Sequence, residues 1–101
     1  MCGVRENRAG ALRTLVHSRP CAMGLDPIEK KPFFHVLPGV SALSLGTPGC
    51  NFHCRWCQNW EISQARPEDV SSSTLTPGDA AALAVRKGAT VVACTYSEPT
   101  V

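Results

Sequence analysis

Three cysteines fall close together in this sequence, Cys50, Cys54 and Cys57, within the stretch GCNFHCRWCQNW from Gly49 to Trp60. Thiols at this spacing have three chemistries open to them. Cys54 and Cys57 form a CxxC pair, the spacing of a dithiol redox couple. The pair also suits half of a zinc site, but a tetrahedral structural zinc wants four ligands, commonly from two close pairs. No second CxxC occurs, and His53 adjoins Cys54, which makes joint ligation by these two difficult. The third chemistry is iron–sulfur ligation, in which separate thiolates converge on one cluster. Three cysteines can hold such a cube and leave its fourth iron without a protein ligand. An open coordination position separates a catalytic metal from a sealed one.

A second group of polar residues lies near the end of the sequence, in YSEPT: Ser97, Glu98 and Thr100. A carboxylate such as Glu98 can accept charge-assisted hydrogen bonds from an ammonium group. The plainer reading is an exposed strand-end glutamate before the turn-forming Pro99. The other candidates call for less. Cys94 lies in an apolar run and reads as a small buried hydrophobe. Cys21, His17 and His35 stand singly, Arg55 reads as an exposed base, and Phe52 as loop packing.

The elements that must position these residues can be read in outline. Asn7 to Gly10 carry the turn chemistry of a short hairpin, and alternation through Leu12, Thr14 and Val16 predicts a half-buried strand after it. In DPIEKKP, Asp26 and Pro27 suit the cap and first position of a helix limited to about one turn by Pro32. VSALSLGT, from Val40, predicts a strand that leads directly into the cysteine loop. ARPEDVSSST predicts a polar, exposed connection. TPGDAAALAVRK predicts a helix: Thr76 caps it, Pro77 begins it, Asp79 favours its positive end, and Arg86 and Lys87 its negative end. ATVVACTY, rich in Val and Thr, predicts a buried parallel strand. Strand, helix and strand make a β-α-β unit, whose ligands bind beyond the carboxyl ends of the strands. Both the cysteine loop and SEPT fall at those ends.

Composition narrows the classes. The 101 residues suit one domain, 44% are hydrophobic, and a net charge of +2 gives no argument for nucleic acid or an anionic membrane. MCGVRENRAG lacks the apolar stretch of a signal peptide, and no apolar run reaches membrane-spanning length. A cytoplasmic setting is therefore expected, where six cysteines point to metal or redox chemistry rather than to disulfides.

Cys50-x-x-x-Cys54-x-x-Cys57, with Trp56 just before the third cysteine, resembles the cluster motif of the radical S-adenosylmethionine superfamily. The longer string GTPGCNFHCRWCQNWEISQ, with DPIEKKPFFHVLPG and TYSEPT, resembles a narrower group: the AmmeMemoRadiSam-system radical SAM enzymes, related to pyruvate formate-lyase activating enzymes. The resemblance implies an α/β fold, the start of a partial (β/α) barrel. Residues 40–101 would open that core, and residues 1–39 would form an extension with short strands. It implies that Cys50, Cys54 and Cys57 hold a 4Fe-4S cluster whose open iron chelates S-adenosylmethionine. Reductive cleavage would give a 5′-deoxyadenosyl radical that abstracts hydrogen from a protein or small-molecule substrate. Trp56 matches an aromatic position that packs near the adenine or merely covers the cluster. Glu98, with Ser97 as a further polar contact, stands where a Gly-Gly-Glu motif often meets the methionine amino group, but YSEP lacks both glycines. In the family the string around CGVREN usually follows upstream cysteines, which are absent here, so a role for Cys2 in a second metal site does not follow from the resemblance. A reduced flavodoxin or ferredoxin-type donor and AMMECR- or Memo-type proteins are the implied partners. The expectation is a fragment of such an enzyme, inactive alone, with a small zinc-binding or structural module as the alternative.

Overall fold

The computed structural model describes residues 2–98, a mixed α/β arrangement with two sheets. The first sheet is a hairpin of β1 (Arg5–Arg8) and β2 (Ala11–Thr14), registered Arg8 to Ala11. Its two-residue loop places Ala9 at φ 53° and Gly10 at φ 84°, the pair of positive angles that matches the twist of a tight hairpin. The Asn7 side chain accepts a hydrogen bond from Gly10 N–H at 2.9 Å and closes the turn. Contrary to the half-buried strand expected, β2 is exposed along its whole length; the buried residues of this region are Val4 and Val16, on either side of the hairpin.

The second sheet has the order β3 (Ala22–Pro27), β4 (Ser41–Gly46), β5 (Ala89–Cys94). Strand β3 is antiparallel to β4 and paired with it from Ala22–Gly46 to Pro27–Ser41. Residues on both sides of position 39 therefore share this sheet. Asp26 and Pro27 end β3 rather than cap a helix, and the 3-10 turn that follows, Ile28–Lys30, has no side-chain cap. Gly24, Asp26 and Pro27 look like turn residues in isolation; pairing with β4 overrides that local preference.

Strand β4 runs parallel to β5, and the connection between them carries α1 (Trp60–Ser63) and α2 (Pro77–Arg86). Helix α2 starts with a complete capping box. Thr76 Oγ1 accepts from Asp79 N–H at 3.2 Å, and the Asp79 carboxylate accepts from Thr76 N–H at 3.3 Å. The alanines of α2 let it approach the sheet closely, so that Ala84 packs with Leu43 and Ala89, flanked by Leu45 and Leu83. Leu43 and Leu45 define the sheet face under α2, and Met23 and Leu25 are registered on that same face. Strand β5 was expected to be buried, but it is covered only in part: Thr90, Val92 and Cys94 are exposed. Its apolar run thus contributes one buried residue, Ala89, to the core. Among the described residues no helix is long and apolar enough to cross a membrane.

Candidate functional site

The cysteine loop begins where β4 ends, and a close approach of backbones fixes that beginning. Gly49 is buried at φ 90°, and a Cβ there would lie 2.5 Å from one Val4 methyl and 2.8 Å from the Cys2 carbonyl oxygen. Only glycine accommodates both the angle and the contact. Gly49 N–H donates to Ile62 O at 2.9 Å, which ties the loop's entrance to α1. From there the chain has no regular structure until Trp60.

All six cysteines carry free thiols. Cys50 is buried, and the Phe52 N–H donates to its sulfur at 3.4 Å. Cys57 is half-buried and 3.3 Å from the hydroxyl of Ser63, itself 2% exposed. Cys54 is exposed, and its carbonyl accepts from Cys57 N–H at 3.3 Å, so a turn joins the two. The loop is buttressed from α1's exit, where Gln64 Nε2 donates to Phe52 O at 2.9 Å. Sequence reasoning missed Ser63 and Gln64; only their place just after CQNW could have suggested them.

The structure does not gather the three thiols: among the described residues no three His, Cys, Asp or Glu side chains are grouped to hold a metal. The donor chemistry nonetheless fits a thiolate-bound cluster. There are three free thiols on one irregular segment, and one of them accepts a backbone N–H; thiolates of this kind are the ligands of iron–sulfur clusters. Metal binding can be coupled to ordering of its ligands. His53 is exposed beside Cys54, and Trp56 is 91% exposed, so it packs on nothing here.

The second predicted group lies close to the loop's origin. Beyond β5, Thr95 N–H donates to Leu45 O at 2.8 Å and continues the parallel ladder. Ser97 Oγ then donates to Thr47 O, also at 2.8 Å. Thr47 precedes Cys50 by three residues, so the strand-end turn and the root of the cysteine loop are hydrogen-bonded neighbours. Glu98 is half-buried at the end of the described segment, and Pro99 and Thr100 lie outside it. A cavity of about 460 Å³ opens at the same carboxyl ends, between the sheet and the first turn of α2. Leu45, Thr47, Ala80, Cys94 and Ser97 are among its lining. Its walls are mainly apolar, and Cys50, Cys54 and Cys57 are not among the residues that line it. Cys94, expected to be buried, is exposed at this cavity.

On the opposite face of the sheet a polar cluster surrounds Asp26. Its Oδ2 accepts from Ser44 Oγ at 2.7 Å, from Lys31 Nζ at 3.2 Å and from the Tyr96 hydroxyl at 3.2 Å; Oδ1 accepts from Lys30 Nζ at 3.0 Å. Lys31 also sits 5.5 Å above the Tyr96 ring. The Ser44 hydrogen bond, then that of Lys30, holds the Asp26 carboxyl well below the usual carboxylate range; partial burial opposes them and Lys31 adds to them. A depressed carboxyl stabilises the fold above its unfolded pKa of about 4, and this stabilisation is lost as pH falls below that value. The stability gap between the wild type and Asp26→Asn should therefore be constant from about pH 8 to 5 and should narrow toward pH 2. Urea unfolding of both proteins across that range measures it. Glu29 and Asp79 are also depressed, but they titrate in both proteins and cancel in the difference.

No family profile matches the chain, and no solved structure matches it. Over 100 residues it is 42% identical to an uncharacterized protein of Methanocaldococcus jannaschii, an alignment covering 99% of this chain and 30% of that protein. The chain thus spans about a third of the length of the curated relative it matches.

Proposed function

We propose that this chain is the cluster- and cofactor-binding front of a radical SAM oxidoreductase resembling the pyruvate formate-lyase activating enzymes, within a partial (β/α) barrel. The observation that carries the reading is the Ser97–Thr47 hydrogen bond. It joins the strand-end turn to the root of the cysteine loop, at the carboxyl ends of adjacent parallel strands, where α/β folds bind ligands.

In this reading Cys50, Cys54 and Cys57 would hold a 4Fe-4S cluster, and Ser97 and Glu98 would face the S-adenosylmethionine bound beside it. Such a cluster would supply the electron for reductive cleavage of the cofactor's sulfonium bond. The protein's own contributions are binding and exclusion of water. Cys50 anchors the loop from its buried position, and Ser63 sits against Cys57 and influences its thiolate. Glu98 and Ser97 offer oxygen acceptors to the cofactor's ammonium group. Trp56 gains a partner when its exposed ring covers the cluster or the adenine. The electron donor is a reduced flavodoxin or ferredoxin, the setting is the cytoplasm, and AMMECR- or Memo-type proteins are the associated partners.

Anaerobic reconstitution of the full chain with iron and sulfide tests the reading. A reduced 4Fe-4S paramagnetic signal should form and should change on addition of S-adenosylmethionine. Stoichiometric zinc with no iron chromophore would instead make the loop a zinc module.

A further inference from the structure

Tyr96 adopts φ 75°, a left-handed backbone that a bulky aromatic residue rarely takes. Such an angle persists only where the surroundings hold it. They do so here through two glycines and a carboxylate. A Cβ on Gly24 would lie 2.9 Å from the Tyr96 hydroxyl, and one on Gly46 would lie 2.9 Å from the edge of its ring. The ring therefore lies across β4 and β3 against two positions without side chains, on the face away from α2. At the far end of the ring the hydroxyl meets Asp26, which Ser44 and Lys31 also contact. Ser44 is fully buried, and the Asp26 and Lys31 side chains are 13% and 12% exposed.

We propose that Asp26, Ser44, Lys31 and Tyr96 form a latch that clamps the turn after β5 onto the β3 corner and so positions Ser97 and Glu98 for the cofactor's amino-acid head. The cofactor clause rests on the functional reading above; the latch itself does not. Tyr96 immediately precedes Ser97. The turn is thus pinned on three sides: Thr95 to the β4 backbone, Ser97 to Thr47, and Tyr96 across the sheet to Asp26. Asp26, Ser44, Lys31 and Tyr96 are positioning residues, since each acts on a cofactor contact through the conformation of this turn. The latch also gives DPIEKK a role that the cluster chemistry does not use.

Tyr96 is the single tyrosine of the chain, so incorporated 3-fluorotyrosine gives one fluorine resonance that reports on the latch alone. In the full chain this resonance should lie away from the free amino-acid position and move toward it in Asp26→Ala. Amide exchange of residues 95–98 should quicken about tenfold or more in Asp26→Ala and in Tyr96→Phe, while exchange in α2 stays the same. Tyr96→Phe keeps the ring against Gly24 and Gly46 and so guards against a variant that fails to fold. In the reconstituted protein both variants should bind S-adenosylmethionine about tenfold more weakly with the cluster signal intact. Unchanged exchange and an unmoved resonance would overturn the latch. A loosened turn with unaltered cofactor affinity would overturn its positioning role. If the wild type binds no S-adenosylmethionine, the functional reading falls, and the fluorine and exchange results still decide the latch.

Discussion

Gly49→Ala should cost about 3–5 kcal/mol of folding stability, combining left-handed backbone strain with overpacking against a fixed neighbour. The added Cβ would stand 2.5 and 2.7 Å from the two Val4 methyls and 2.8 Å from the Cys2 carbonyl. Neither neighbour is a flexible side-chain end: Val4 is fully buried and the carbonyl is backbone. The N-terminal segment must therefore move away from the loop, or the loop from it. A domain of this size is stable by only about 5–15 kcal/mol, so the loss is a large share of the whole. Gly39→Ala supplies the control, because Gly39 has a similar φ of 81° but open space around it. It should show the backbone strain alone, about 1–2 kcal/mol. The difference between the two denaturation midpoints then isolates the close approach. Equal losses would mean that Val4 does not wedge beneath the root of the cysteine loop.

That wedge shows where sequence reasoning runs out. Helix α2 was legible because its signals are local: Thr76, Pro77 and Asp79 act on groups within one turn of themselves. The β1–β2 hairpin was legible for the same reason, through Asn7 and Gly10. Strand β3 was not, since Gly24 and Pro27 weaken a strand on their own and only the β4 ladder makes them one. The exposure of β5 was equally hidden. A run of Val, Ala and Cys implies a covered strand, and whether anything covers it depends on elements remote from the run. For the site, spacing alone singled out Cys50, Cys54 and Cys57, but their different burial depends on how the loop packs, as where Ser63 of α1 meets Cys57. Tyr96 and Asp26 are 70 residues apart; no local pattern links them, and the capping role assigned to Asp26 hid its contact with the strand-end turn.

Single replacements of the six cysteines should divide them into two sets of three. Cys50→Ala, Cys54→Ala and Cys57→Ala should each abolish retention of about four iron atoms per chain after reconstitution, because a cube held by two thiolates has lost the chelation that secures it. Cys2→Ala, Cys21→Ala and Cys94→Ala should retain it. Cys54→Ala is the most discriminating of the six. Its side chain is exposed, and among the described residues its sulfur makes no hydrogen bond, so loss of iron there points to a lost ligand rather than to unfolding. Cys50→Ala is less clean, since burial and the Phe52 N–H make its sulfur part of the loop's packing. Cys50→Ser keeps the size and tests the ligand separately. A dithiol redox pair predicts a different pattern, in which only Cys54 and Cys57 matter and Cys50→Ala is silent. Full iron retention in Cys54→Ala would end the three-thiolate assignment, because no rearrangement of Cys50 and Cys57 alone restores a third ligand from this loop.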